Sequence, residues 1–391
     1  MILAACPVLP PVRRPLGEAL GCVTAEPVVA AHDVPSFANS AMDGYAVRAA
    51  DTAGPPVTLD VVGTAAAGSP PGMAVGPGQA VRIMTGALVP AGADAVVMVE
   101  RTSPGRGEDR VVIEVAASVG DHIRHPGEDL RAGQVMFEAG TELGPGHLGV
   151  LASVGAESAH VVPPARVGVL STGDELVAGG GGLRPGQIRD SNRPMLLALA
   201  ARAGCVPVDL GTAPDNEAAI TAGIERGVAG CDAILTSGGV SVGDFDYVKT
   251  VLDGMGDMHW WQVAVRPAKP LAFGTVAGTP VFGLPGNPVS SLVSFELFAR
   301  PALRQMMGHA ELSRPQVPAI ADEDFRRRPD GKLHLVRVMA TPDDDGRWHV
   351  RSSGGQGSHL LRAMALANAL ALLPDGEGVA AGATVKVMLL T

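Results

Sequence analysis

DAILTSGGVSVGDFDYVK, residues 232 to 249, opens as a short apolar run and turns through two glycines into a segment with helical apolar spacing. Gly238 and Gly239 therefore stand where a buried strand becomes a helix, and no β-carbon keeps a ligand from the backbone there. The N–H groups exposed at such a helix start favour an anion. The pattern recurs in TPVFGLPGNPVSSLVSFELF, residues 279 to 298. Asn287 suits an N-cap and Pro288 the first helical position. Two such crevices along one open sheet suit a phosphate-bearing ligand.

Working outward, residues 163 to 313 alternate strand and helix: RVGVLSTG, RPMLLALAARAG, VPVDLGTA, NEAAITAGIERG, DAIL, then the second crevice and a long helix to Met307. That order predicts a doubly wound α/β domain. Residues 31 to 135 break instead into short β runs between Gly/Pro turns, AVRIMTG, DAVVMVE and RVVIEV, and read as a small β domain. Residues 13 to 30 and 136 to 162 form a linking segment. Its first part, from Arg14, reads as a short amphipathic helix running into extended chain; its second reads as a helix followed by a strand. Residues 314 to 391 return to β alternation, with KLHLVRVMA, RWHVRSS and TVKVMLL as strands.

The chain has 391 residues, enough for several domains, and 46% of them are hydrophobic. Aromatics are 3% and the net charge is −10, which argues against stacking platforms for nucleic acid and against general binding to nucleic acid or anionic lipid. Four cysteines without a CxxC pair argue for reduced, buried thiols in a cytoplasmic protein and against structural zinc. No apolar run reaches the roughly 20 residues of a transmembrane helix.

Carboxylates cluster at turns: Asp43, Glu128, Asp129, Asp174, Glu175, Asp215, Asp244 and Asp246. Taken singly, each reads as an N-cap or turn aspartate. Strand C-termini line one edge of an α/β sheet, however, so Glu175, Asp215 and Asp246 can converge there. Converging carboxylates repel one another unless a hard cation such as Mg²⁺, shared with ligand phosphates, neutralises them. Arg266 and Lys269, in VAVRPAKP, supply cations in a Pro-restricted loop, and Ser237, Ser241 and Thr85 supply hydroxyls. No Ser-His-Asp spacing points to a covalent nucleophile.

Seven motifs in order, NSAMDGYAVR (39–48), RIMTGALVP (82–90), RHPGEDL (124–130), STGDEL (171–176), QIRDSN (187–192), TSGGVSVGDFDYVK and GLPGNPVSS (283–291), followed by GGQGSHLL (354–361), resemble the molybdopterin molybdenumtransferases, which include bacterial enzymes and the E domain of gephyrin. The resemblance runs through nearly the whole chain. It implies an elongated four-part fold with a C-terminal β-barrel-like domain. The implied activity inserts molybdenum from molybdate into adenylylated molybdopterin, with Mg²⁺, releasing AMP. It also implies a homodimer whose site lies between the α/β domain of one subunit and the β domain of the other. The pathway's adenylyltransferase becomes a candidate partner.

Carried over by position, Asp43, Asp129, Glu175, Asp215 and Asp246 are the implied catalytic residues, with Glu175, Asp215 and Asp246 toward the metal. The implied substrate contacts are Thr85, Thr172, Gly173, Asp174, Ser191, Asn192, Ser237, Gly238, Gly239 and Ser241, together with Arg266, Lys269, Pro285, Gly286, Asn287 and Pro288. Two departures stand out. About a dozen residues precede Arg13, where the family has an N-terminal helix that packs on the α/β domain. Gln262 and Arg266 occupy places where bacterial members often carry lysine, and Arg clamps an anion but cannot give up a proton. The competing readings are an adenylyltransferase, identified by adenylation of molybdopterin with ATP, and a non-catalytic pterin scaffold, identified by tight binding without turnover.

Overall fold

The computed structural model describes residues 1–69, 72–107, 109–239 and 247–390. Its central sheet has six strands. We number its elements β1 (Arg166–Thr172), α1 (Asn192–Arg202), β2 (Val206–Ala213), α2 (Glu217–Gly230), β3 (Ala233–Ser237), α3 (Tyr247–Met255), β4 (Gly256–Gln262), β5 (Pro270–Val276), β6 (Thr279–Leu284) and α4 (Pro288–Ser294). The strand order is β2-β1-β3-β6-β5-β4. The first four strands run parallel, and β5 and β4 extend the sheet as an antiparallel meander.

β3 is buried along its whole length and β1 is buried after Arg166, because helices cover both faces of the sheet. α2 turns Ile220, Gly223, Ile224 and Gly227 inward. A β-carbon at Gly223 would stand 2.8 Å from Leu170, and one at Gly227 2.7 Å from Ile234. The two glycines thus let the helix lie close against the sheet. The chain passes from β1 out to β2 and then back across β1 to β3. Ligands of open α/β sheets bind at such a reversal, outside the strand C-termini. The loops after β1, β3 and β6 are neighbours at that edge.

The second half of the fold is β. Residues 44–113 hold a six-stranded sheet in which Gly44–Val47 lies between Gln79–Ile83 and Ala95–Met98. The C-terminal strands Leu333–Pro342, Trp348–Ser352, Gln316–Ala321, Thr384–Leu389 and Ala369–Leu373 close into a five-stranded barrel. Gln316–Ala321 and Ala369–Leu373 escape a sequence reading because Pro318 interrupts one and the other does not alternate.

The amphipathic helix expected from Arg14 is absent. Val12–Pro15 is a strand and Leu16–Glu18 a single 3-10 turn. Pro15, Gly17 and Gly21, the last at φ +74°, break helical propagation within two turns. The short N-terminal segment nevertheless packs where the family's helix was expected. Cys6 is fully buried in the α/β core, and Gln305 Nε2 donates to the Leu3 and Cys6 carbonyls at 2.7 and 2.8 Å. Burial there pushes the Cys6 thiol up to about 12, so it stays protonated.

The barrel is fixed to the α/β domain. Val265–Arg266 adds in parallel to the barrel strand at Leu333–His334, and Val289 and Val293 of α4 share one apolar core with Leu335, Leu370 and Met388. α4 continues through a π turn, Phe295–Ala299, into the helix Arg300–Met306. Buried Glu296 in that turn accepts both arms of Arg314 at 2.9 and 3.0 Å, with Arg300 at 3.8 Å. Burial holds the Arg300 guanidinium down at about 10. Glu296→Ala would leave two guanidiniums buried without their carboxylate, and removing one partner of such a group typically costs about 3–5 kcal/mol. A loss of that size in urea unfolding is expected; a change under about 1 kcal/mol would show that the cluster does not secure the join.

Candidate active site

The crevice is built from the strand ends. β1 ends in Ser171 and Thr172, both buried, and Gly173 follows at φ +147°. β3 ends in buried Ser237, then Gly238 at φ +101° and Gly239 at φ +66°. A β-carbon on Gly238 would sit 2.8 Å from the Thr172 carbonyl oxygen, so only glycine lets these two loops touch. Val240 to Asp246, with the candidate residues Ser241 and Asp246, lie outside the described residues.

Asn192, the first residue of α1, fastens the crevices together. Its amide nitrogen donates to Ser237 Oγ and to the Gly286 carbonyl, both at 2.7 Å. The side chain is buried, and among the described residues its Oδ1 has no partner. Thr172 Oγ1 is likewise buried without a partner among the described residues. Buried polar atoms without a partner at the strand C-termini are candidate contacts for a polar ligand, because leaving them bare is costly.

Asn192 is in turn set by Asp190, which the sequence reading passed over. The Asp190 carboxylate is 1% exposed. It accepts from Ser171 and Thr212 at 3.2 Å each, and from the Arg193 backbone and guanidinium at 3.1 Å each. An aspartate two residues before a helix, inside QIRDSN, was the available signal.

The carboxylates divide into three places. Asp174 and Asp215 meet through reciprocal bonds: Asp215 N donates to Asp174 Oδ1 at 3.0 Å, and Asp174 N to Asp215 Oδ2 at 3.4 Å. Glu175 folds over Gly173, where its Oε2 would be 2.4 Å from a β-carbon. Asp43 lies in the small β domain and accepts from the Thr85 backbone and hydroxyl at 2.6 and 2.7 Å. Those donors, the backbone N–H foremost, hold its carboxyl below the usual range. Exposed Asp129 is in the same domain. Among the described residues none of Asp43, Thr85 and Asp129 bonds to the α/β domain, and no group of three or more acidic, His or Cys side chains could hold a metal. The exposed, paired Asp174 and Asp215 at the strand C-terminal edge are a donor set that suits Mg²⁺, which takes one or two carboxylates plus ligand oxygens.

The cations gather next door. A cavity of about 340 Å³ between the α/β domain and the barrel is lined by Arg266, Lys269, Lys332, Asn287, Ser290 and Ser358. Asn287 is the N-cap residue of α4, yet its side chain makes no cap bond and remains available to the cavity. Pro288 stands at the first helical position, and buried Pro285 follows directly on β6. Ser191 precedes α1 without capping it. Gln262 ends β4, exposed.

Lys332 and Ser358 were not singled out from sequence. Ser358 belongs to GGQGSHLL, which wraps around Arg337. This fully buried arginine donates from Nη2 to the Gly355 and Gly357 carbonyls at 2.8 and 3.2 Å, and Gln356 binds its backbone N–H at 2.9 Å. An arginine inside the apolar run LVRVMA, with a glycine loop ahead to supply carbonyls, was the signal.

Three family profiles match in order: the "MoeA N-terminal region (domain I and II)" over residues 1–155, a "Probable molybdopterin binding domain" over 168–305, and the "MoeA C-terminal region (domain IV)" over 318–390. A Mycobacterium tuberculosis protein named molybdopterin molybdenumtransferase 2 is 43% identical over 392 residues, covering 97% of this chain and 95% of that one. The Haemophilus influenzae molybdopterin molybdenumtransferase is 39% identical over 374 residues, covering 95% and 92%. The crystal structure of the molybdopterin biosynthesis MoeA protein from Pyrococcus horikosii superposes with TM-score 0.81 at 30% identity, covering 100% of this chain and 97% of that one.

Asn192→Ala removes two hydrogen bonds, one buried and one partly buried, that join the crevices. Each is worth about 0.5–1.5 kcal/mol, so pterin affinity is expected to fall roughly 10-fold to 100-fold, with a lowered melting temperature. Unchanged affinity in the folded variant would show that the crevices do not depend on this amide.

Proposed function

The chain belongs to the molybdopterin molybdenumtransferase family, and on that premise we propose how its residues carry out molybdenum insertion. It is a transferase of molybdenum cofactor biosynthesis that places molybdenum on molybdopterin. The single observation carrying the proposal is contiguity. Gly286, tied by Asn192 to the β3 crevice, is followed directly by Asn287 in the wall of the cationic cavity. A phosphate-bearing pterin in the first and an oxyanion in the second would have their reacting ends side by side.

In this reading adenylylated molybdopterin lies along Gly238, Gly239 and the Thr172–Asp174 turn. Asn192 Oδ1 and Thr172 Oγ1 take polar atoms of the ligand. Arg266, Lys269 and Lys332 hold molybdate in the cavity, with Ser290 and Ser358 as hydroxyl partners. A molybdate oxygen attacks the adenylyl phosphorus, and the bridging P–O bond to the pterin phosphate breaks. The two dithiolene sulfurs then displace two oxygens from molybdenum: one leaves on AMP, the other as water with the two thiol protons. Mg²⁺ held by Glu175, Asp215 and Asp246, with Asp174 beside Asp215, would supply charge neutralisation at that pyrophosphate. Arg266 acts only as a fixed charge, since it keeps its proton.

Asp43, Thr85 and Asp129 complete the site from a second subunit of a homodimer in this proposal. Their separation from the crevices within one chain supports that reading. The absence of any helix among the described residues long and apolar enough to cross a membrane is compatible with work in the cytoplasm, where the adenylyltransferase of the pathway would hand over its product.

The test is AMP release from adenylylated molybdopterin with Mg²⁺, with and without molybdate. Release that requires molybdate is expected, and Glu175→Ala should lower its rate about 10²–10³-fold while the protein folds. Molybdate-independent release, or full activity in Glu175→Ala and Asp246→Ala together, would overturn the mechanism. Adenylation of molybdopterin by ATP would identify the adenylyltransferase reading instead.

A further inference from the structure

Beside the cationic cavity stands a carboxylate that the mechanism does not use. Asp330 accepts from Arg327 Nη2 at 2.7 Å, from His334 Nε2 at 3.1 Å and from Lys332 Nζ at 3.3 Å, and Arg266 Nη1 lies 3.9 Å away. Lys332 and Arg266 are two of the three cations lining the cavity. Lys269, the third, has no ion pair among the described residues.

Asp330 is fixed, whereas Arg266, one of its two cavity partners, is largely exposed. Arg327 is 3% exposed and is clamped by the carbonyls of Lys332, Leu373 and Pro374 and by Asp375. The Asp330 backbone N–H is also bound by Asp375, at 3.0 Å. The Arg266 side chain is 68% exposed and meets Asp330 only at 3.9 Å. An exposed pair of that kind contributes little to holding the guanidinium in place. The charge of Asp330 still acts on whatever enters the cavity.

We propose that Asp330 is an internal competitor for the oxyanion: it occupies the Arg266 and Lys332 cations in the empty cavity and yields them when a dianion binds. The inference rests on the oxyanion site proposed above. Its sign is what separates it from a positioning role. If Asp330 mainly aligned the cations, losing it would weaken binding. As a competitor, it keeps binding weaker than the cations alone would make it. The device suits a site that must give its oxyanion up to the dithiolene and turn over. The low carboxyl of Asp330, held at about 2 chiefly by the His334 ring and also by Lys332, means the charge is present throughout the working pH range.

The experiment is calorimetric titration of the full chain with sodium molybdate, and separately with sodium sulfate, at fixed ionic strength. Asp330→Asn keeps an oxygen acceptor for Arg327, which retains its carbonyl and Asp375 partners, so the barrel is expected to fold; circular dichroism and the melting temperature check this. Molybdate and sulfate should both bind tighter, by roughly threefold to tenfold at ordinary salt. In an Arg266→Gln background the same substitution should give a smaller gain, because part of the competition runs through Arg266. Unchanged or weaker binding in folded Asp330→Asn overturns the proposal, as does an equal gain with and without Arg266. Lys269→Ala tests the underlying site separately. If Lys269→Ala leaves molybdate affinity untouched, the cavity is not the oxyanion site, whatever Asp330 does.

Discussion

The amide of Asn192 spans the two loops on which the site depends. β3 and β6 are adjacent parallel strands, but adjacency alone does not fix how their following loops lie. One nitrogen donating to Ser237 and to the Gly286 carbonyl sets both at once. The bond to Ser237 is buried, where a hydrogen bond counts for more and its loss costs more than at the surface. Asp190 holds the start of α1 against β1 and β2, so the amide is itself carried on a fixed support. Gly238 completes the arrangement by allowing the β3 loop to touch the β1 turn.

Around this neutral knot the charges are sorted by place. The carboxylates Asp174, Glu175 and Asp215 stand at the β1 and β2 ends, and the cations Arg266, Lys269 and Lys332 stand where the barrel meets α4. In the proposed mechanism such sorting would let the crevice receive a metal-bridged phosphate and the neighbouring cavity an oxyanion, although the chain as a whole carries a net charge of −10. The barrel supplies more than a surface. Its Arg337 holds the glycine loop bearing Ser358, and its Lys332 adds a cation that the α/β domain lacks.

Much of this was legible in sequence because it is local. A strand running into Gly238-Gly239 has one dominant reading, and the α/β alternation follows from apolar run lengths alone. The resemblance through STGDEL, QIRDSN and GLPGNP named Asn192, Asp174 and Gly286, but not the bonds among them, which depend on tertiary register. Lys332, Ser358 and Asp330 were hidden because they matter only once the barrel is docked against α4, and no periodicity encodes that. The expected helix from Arg14 failed for a local reason: Pro15, Gly17 and Gly21 outweigh an amphipathic pattern. Asp43, Thr85 and Asp129 were named by resemblance, and within one chain they remain apart from the crevices.

In the proposed mechanism the oxyanion sits in the cavity between Arg266, Lys269 and Lys332, beside Asn287. Crystals soaked in tungstate, whose size is nearly that of molybdate, would report it directly through anomalous scattering. A strong anomalous peak within contact distance of those side chains is the predicted result. A peak elsewhere in the crevice, or none in that cavity at a tungstate concentration that saturates binding in solution, would contradict it.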